Sequence, residues 1–285
     1  MNSGNNLSIK TSTLRVLVNG AEKAEIAVSD RGLNYGDGLF ETIAVFFGMP
    51  EMFQAHLQRL QKGCEQLKFP FDNWNELQNE VEQLASVASV SDRAVIKIIL
   101  TRGSGGGGYQ IADDCEPQRI VMLLTWPERP ETPAKLRFCT TPLGCNPALA
   151  GIKHLNRLEQ VMARSEWDDQ LDDFDEGLMS NIQGYVVEGT MSNLFIVQEG
   201  VLITPDLNRC GVEGIMRQHV LKLAETIGIE RKIALLSKDE IFEADEIFIS
   251  NSLMGIRPVA LLESKEFSVG PVTGQLMALI QAERA

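Results

Sequence analysis

Three prolines stand within seven residues at Pro127-Glu128-Arg129-Pro130-Glu131-Thr132-Pro133. Proline lacks a backbone N–H and fixes φ, so such a run continues neither a helix nor a central strand. It predicts a linker over 127–133 and a chain in two parts. A smaller α/β domain is expected over 14–126 and a larger one over 134–285. Each is long enough to bury a core of its own. Residues 1–13 are polar and lack the apolar centre of a signal peptide, which predicts a flexible tail.

The composition, 44% hydrophobic and 23% charged over 285 residues, suits a globular chain. No run of 18 apolar residues is present, which argues against a membrane-spanning helix. The net charge of -13 argues against nucleic acid or an anionic membrane as partner, because both require a basic footprint. Any anionic ligand must then be held by local positive groups. Five scattered cysteines, odd in number and without a CxxC pair, read as reduced thiols of a cytoplasmic protein. His56, His154 and His219 do not cluster with them, so no metal is expected.

Periodicity fills in the elements. Leu14–Gly20 reads as a strand ending in Asn-Gly, a hairpin signal, with Ala24–Val28 as its return. Residues 29–38 form a turn-rich loop, and 40–47 a strand. Leu57, Leu60, Cys64 and Leu67 mark an amphipathic helix from Phe53, and a second helix fits 74–89. Strands follow at 94–101 and 119–126. In the second half the pattern predicts strand 135–141, a helix from Ile152 to Asp168 on the stripe Ile152, Leu155, Leu158 and Met162, and strand 174–180. Then come the hairpin GYVVEGTMSNLFIVQEG, strand 201–204, helix 214–227, strand 232–236, helix 238–243 and strand 246–250.

Several residues stand out chemically. Lys153 lies in a nearly apolar stretch. A lysine that attacks a carbonyl must do so uncharged, and partial burial favours that form; a snorkelling lysine at a helix start is the plain alternative. Glu188 interrupts two apolar strand halves, and a buried carboxylate there needs a cationic partner, whereas a turn glutamate would simply face water. Gly211-Val212-Glu213-Gly214-Ile215-Met216 opens a helix whose N–H groups suit a phosphate, although an ordinary helix start looks the same. Asn251 and Ser252 follow a strand and offer further donors. Arg59 lies off the apolar stripe of its helix and reaches either an anion or solvent. The loop RGSGGGGYQ over 102–110 lacks the ending of a phosphate loop and the helix of a GxGxxG fingerprint, and reads instead as an active-site lid.

Taken in order, Arg59 in HLQRLQ, Arg102 in TRGSGG, Lys153 in AGIKHLNRLEQV, Glu188 in VVEGTMSNLF, GVEGIMRQ and SNSLMGIRPV resemble the class IV (fold-type IV) pyridoxal-phosphate enzymes. The resemblance covers about residues 14–260. That class includes branched-chain and D-amino-acid aminotransferases. SDRGLNYGDGLFET, RGSGGGGY, NPALAGIKHLNRLEQV and GIMRQ look most like its aminodeoxychorismate-lyase branch.

The resemblance implies two α/β domains with the cofactor, pyridoxal 5'-phosphate, at their interface, and a homodimer. It implies that Lys153 bonds covalently to the cofactor, that Glu188 pairs with the ring nitrogen, and that Arg59 and the backbone of Gly214, Ile215 and Met216 hold the phosphate, assisted by Asn251 or Ser252. Thr42 stands where the lyase branch carries threonine and branched-chain aminotransferases carry glycine, and is implied to assist proton delivery. Arg102, Asn156 and Tyr109 are implied substrate contacts, with Arg157 shaping the pocket beside Asn156. The implied reaction converts 4-amino-4-deoxychorismate to 4-aminobenzoate and pyruvate in folate biosynthesis. Two departures from the lyase pattern, Gly107 in place of an arginine and Glu41 before Thr42, keep an aminotransferase acting on D- or branched-chain amino acids as the alternative.

Overall fold

The computed structural model describes residues 12–88, 93–113, 115–128, 132–168 and 171–284. The expected tail lies almost wholly outside them, as do Ser89 and residues 129–131 of the expected linker. The described residues form two compact units. One holds 12–128 and 152–157, the other 132–151 and 158–284. The segment 152–157, which carries Lys153, thus belongs with the first unit although its sequence neighbours belong with the second.

Among the described residues the first unit is one antiparallel sheet with three helices, of which α1 is a short one. Its elements are β1 (Thr13–Val18), α1 (Arg31–Tyr35), β2 (Gly38–Phe46), β3 (Met49–Pro50), α2 (Phe53–Gln66), α3 (Trp74–Val87), β4 (Arg93–Thr101) and β5 (Gln118–Thr125). The strand order is β1-β5-β4-β2-β3. Alternation along β2 sends Leu39, Glu41, Ile43 and Val45 to one face, where Leu100, Ile98 and Ile96 of β4 stand opposite the first three. Leu57 and Leu60 of α2 and Leu77, Val81 and Leu84 of α3 are buried with them. The other face carries Phe40, Thr42, Lys97 and Ile99, all half-buried.

Two expectations are corrected in this unit. Ala24–Val28 forms no strand; β1 pairs with β5 instead. Val18 and Ala21 close a tight turn, but Glu22–Val28 is exposed throughout and mixes Glu22, Lys23 and Glu25 among its apolar residues, so it has no face to bury. The loop over 29–38 contains the short helix α1. Asp30 Oδ1 caps it, accepting from Gly32 N at 2.7 Å and Leu33 N at 3.3 Å, and Gly36 ends it.

The second unit contains β6 (Ala134–Phe138), α4 (Leu158–Arg164), β7 (Glu176–Ser180), β8 (Val186–Gly189), β9 (Asn193–Gln198), β10 (Val201–Pro205), α5 (Ile215–Thr226), β11 (Arg231–Ala234), α6 (Lys238–Phe242), β12 (Glu246–Asn251), β13 (Gly255–Leu262), β14 (Lys265–Glu266) and α7 (Pro271–Glu283). The sheet runs β11-β10-β9-β12-β13-β6-β7-β8, and β8 pairs back onto β9. Six strands therefore close into a ring. Leu136, Leu178, Leu194, Ile196, Ile249 and Val259 belong to its buried core. No helix among the described residues is long and apolar enough to cross a membrane.

The helix expected from Ile152 to Asp168 is only α4, Leu158–Arg164. Its supposed apolar stripe does not share a buried face: Ile152 is fully buried, whereas Leu158 is 71% and Met162 54% exposed. The preceding backbone is committed elsewhere. Gly151 takes a positive φ of 81° and pairs with Val212, within the second unit. Lys153 O then accepts from Phe40 N at 2.9 Å, and Leu155 N donates to Gly38 O at 3.0 Å, so 153–155 runs as a short extension of the sheet beside β2.

Candidate active site

Lys153 is half-buried, and its Nζ lies 4.5 Å from the centre of the Phe40 ring. Phe40 sits at the start of β2, two residues before Thr42, so both side chains emerge on the same face of the sheet. Lys97 of β4 stands directly opposite Thr42, with its Nζ 5.8 Å from the same ring. His154, next to Lys153, has its imidazole pushed down to about 4 by burial, helped by the charges of Arg157 and Lys153, and is neutral at physiological pH. Arg157 braces the segment, donating from Nε to His154 O at 2.9 Å and from Nη2 to Ile152 O at 3.3 Å. Asn156 donates to Gly36 O at 3.0 Å and so ties the segment to the end of α1.

Arg59 is not a surface residue. It is 9% exposed and grips a carboxylate that is wholly buried. Its Nε donates to Glu41 Oε1 at 2.7 Å and its Nη2 to Oε2 at 2.5 Å, while His56 Nδ1 lies 2.7 Å from Oε2. Burial pushes the Glu41 carboxyl up, but Arg59 and His56 outweigh it and hold it at about 2. Burial keeps His56 below its ordinary value, and its Nε2 is buried without a hydrogen-bond partner. Glu41 and His56 were missed as site residues at the sequence level.

Arg102 is equally buried, and all three of its nitrogens are bonded. Nε donates to Asp37 Oδ2 at 2.8 Å, Nη1 to Lys68 O at 3.0 Å and Nη2 to Leu67 O at 2.9 Å. Asp37 Oδ2 also accepts from Arg31 Nε at 2.9 Å. Burial raises the Asp37 carboxyl, and the bonds to Arg102 and Arg31 outweigh it, leaving it below its ordinary value. Arg31 in turn reaches the glycine loop, donating to the carbonyls of Gly108 and Gln110 at 3.2 Å. The loop is thus clasped around a guanidinium. Tyr109 projects from it, 88% exposed, and rests against Tyr35.

In the second unit Glu188 is 4% exposed and stands opposite Asn193, which stands opposite Ser250. Cross-strand partners share a face, so these three buried polar residues form one row across β8, β9 and β12. Two of them clamp the backbone of a single residue: Val212 N donates to Glu188 Oε2 at 2.8 Å, and Asn193 Nδ2 donates to Val212 O at 2.9 Å. That clamp delivers the chain to α5, whose N-cap Gly214 supplies no side-chain cap. The first N–H groups of a helix have no intrahelical partner, so Ile215 and Met216 present donors there. A side chain on Gly214 would place Cβ 2.0 Å from Asn193 Oδ1. Ser250 Oγ is buried without a partner. Asn251 is occupied differently: its Oδ1 accepts from Leu253 N at 3.0 Å and Met254 N at 2.9 Å, which shapes the turn holding Ser252. Among the described residues no group of three or more His, Cys, Asp or Glu is placed to hold a metal ion.

The model of the amino-transferase class IV family matches residues 38–262, most of the chain. The chain belongs to that family. It is 34% identical over 267 residues to an aminodeoxychorismate lyase of Vibrio harveyi, covering 91% of this chain and 97% of that protein. It is 28% identical to a D-alanine aminotransferase of Bacillus licheniformis, covering 94% of this chain and 96% of that one. The structure of 4-amino-4-deoxychorismate lyase from Pseudomonas aeruginosa superposes with a TM-score of 0.89 at 43% identity, over 94% of this chain and 98% of that one.

For a class IV chain, the donor sets of both units fit pyridoxal phosphate. The first unit offers an amine on an aromatic face, a fixed guanidinium and an unpartnered imidazole nitrogen. The second offers a buried carboxylate and an uncapped helix N-terminus beside an unpartnered hydroxyl.

Proposed function

We propose that the chain is a pyridoxal-phosphate-dependent carbon–oxygen lyase that converts 4-amino-4-deoxychorismate to 4-aminobenzoate and pyruvate. The placement of the Lys153 amine on Phe40, on the sheet face that also carries Thr42, supports the reading most directly. Near full-length likeness to two lyases agrees with it.

In this reading Lys153 would hold the cofactor covalently through Nζ and Arg59 would meet its phosphate in the first unit; in the second, the N–H groups of Ile215 and Met216 would suit a phosphate, with Gly214 allowing close approach and Ser252 assisting. Glu188 would accept a hydrogen bond from the protonated ring nitrogen. When bound, the cofactor supplies the electron sink that stabilises a carbanion at the substrate carbon bearing nitrogen. The free Lys153 Nζ would take the ring proton from that carbon. The C–O bond to the enolpyruvyl group then breaks, the ring becomes aromatic, and Thr42 Oγ1 passes a proton to the departing oxygen; the enol becomes pyruvate. The neutral His154 beside Lys153 adds no positive charge to the site. Asn156 and Arg157 fix the Lys153 segment, and Arg102 acts through Asp37 and the ends of α1 and α2. Tyr109, on the clasped loop, is exposed to meet substrate.

The aminotransferase reading is second and rests on the likeness to D-alanine aminotransferase and on Glu41 and Gly107. The apolar open face of the first sheet, with Val16, Ile99, Ile120 and Met122 half-buried and Leu14 54% exposed, supports a homodimer. Five free cysteines support a cytoplasmic location.

The test is product analysis. Purified protein with pyridoxal phosphate and aminodeoxychorismate is expected to release 4-aminobenzoate and pyruvate in equal amounts, and Lys153→Ala is expected to release neither. Keto-acid formation from D-alanine or leucine without 4-aminobenzoate would move the chain to the aminotransferases.

A further inference from the structure

Glu41 is a buried carboxylate for which the proposed chemistry has no use, and its cost must be met by partners. Three donors meet it. Arg59 takes both oxygens through the Nε–Nη2 edge, and His56 Nδ1 shares Oε2 with it. His56 and Arg59 lie three residues apart on α2, so both reach the same point of β2. A two-point grip on a guanidinium fixes its plane as well as its position. An arginine so held has lost its rotamer freedom on folding and loses little more when it binds an anion.

We propose that Glu41 is a positioning residue for Arg59: it holds the guanidinium in the orientation that receives the cofactor's phosphate, with His56 as second support. The proposal rests on the reading of Arg59 as a phosphate ligand given above. It also reassigns Glu41, whose place before Thr42 otherwise reads as a mark of aminotransferases.

Charge alone makes the opposite prediction, which makes the proposal testable. A carboxylate beside an anion site repels the anion, so if Glu41 were only a neighbour, Glu41→Gln would tighten phosphate binding. If Glu41 positions Arg59, the same change loosens it. The experiment titrates the full-length, cofactor-free chain with pyridoxal phosphate and with pyridoxal, which lacks the phosphate, and takes the ratio of affinities. Wild type, Glu41→Gln, Arg59→Gln and the double variant are compared. Glu41→Gln is expected to lower pyridoxal-phosphate affinity by about tenfold or more, in line with loss of a charge-assisted bond, and to leave pyridoxal affinity unchanged. The double variant is expected to be no worse than Arg59→Gln alone, because Glu41 acts through Arg59. An unchanged or raised ratio in Glu41→Gln, or an additive loss in the double variant, overturns the proposal. If Arg59→Gln itself leaves the ratio unchanged, the phosphate reading of Arg59 fails and the proposal falls with it. If Glu41→Gln does not fold, as circular dichroism would show, Glu41→Asp replaces it. That variant keeps the charge but draws it back by a methylene, and an unchanged ratio there is equally fatal.

Discussion

Lys153 and Phe40 are tied twice. The Phe40 N–H donates to Lys153 O at 2.9 Å, and the Lys153 Nζ returns to lie 4.5 Å from the centre of the Phe40 ring. The backbone bond sets where the lysine leaves the sheet, and the ring sets where its amine ends. Phe40→Leu removes the second tie and keeps the first. The ring is the surface on which the amine rests, so without it the amine should become less well placed rather than lost. We expect kcat to fall by about tenfold, with the melting temperature nearly unchanged because Phe40 is only half-buried. Steady-state kinetics and thermal unfolding decide it. An unaltered kcat would mean that the ring does not place the amine.

The backbone N–H and C=O of Val212 are held by Glu188 and by Asn193 respectively, and Gly214 leaves room for the second clamp. Gly214→Ala pushes Asn193 off Val212. Lost hydrogen bonding and local strain place the expected cost at about 2–3 kcal/mol. Cofactor retention should fall as well, because the helix N-terminus shifts. Chemical denaturation and the visible absorbance of the bound cofactor report the two effects separately.

Most of the chain's elements were legible because their signals are local. The stripe of Leu57, Leu60 and Cys64 on α2, for instance, lies within eight residues. The segment at Lys153 was misread because Ile152, Leu155, Leu158 and Met162 imitate helical spacing, and periodicity cannot see that Lys153 O and Leu155 N are already bonded to β2. Ring closure in the second unit was invisible for a related reason: β6 and β13 are parallel neighbours far apart in the chain. Glu41 was within reach. A carboxylate flanked by apolar strand residues needs a cationic partner, which is as true of Glu41 between Phe40 and Ile43 as of Glu188. What the sequence lacked was the distance: Arg59 lies 18 residues away on another element.

Asp37 joins two buried arginines, Arg31 and Arg102, through one oxygen. Asp37→Asn keeps the shape and removes the charge that both guanidinium groups face. Leaving buried charge uncompensated typically costs 3–5 kcal/mol, and we expect about 3 kcal/mol here because the arginines keep their carbonyl partners. Urea denaturation measures this. The glycine loop should also become protease-sensitive, since Arg31 clasps its carbonyls. A loss below about 1 kcal/mol would show that those carbonyls suffice alone.

Two histidines and Glu41 respond to acid in separate windows. His154 has a folded value of about 4, below the ordinary 6.5 that it regains on unfolding. Between these values the unfolded chain binds a proton that the folded chain does not, so stability is full above pH 6.5 and falls as the pH drops towards 4. His56, likewise lowered by burial, acts in the same direction. Glu41, held at about 2 against an ordinary 4.5, stabilises the fold above pH 4.5 and loses that contribution as the pH falls towards 2. His154→Gln should therefore flatten the upper window in part and leave the lower one intact. Midpoints of urea unfolding at pH 7.5, 5.5 and 4 test this. Parallel decline of variant and wild type between the first two would show that His154 is as easily protonated in the fold as outside it.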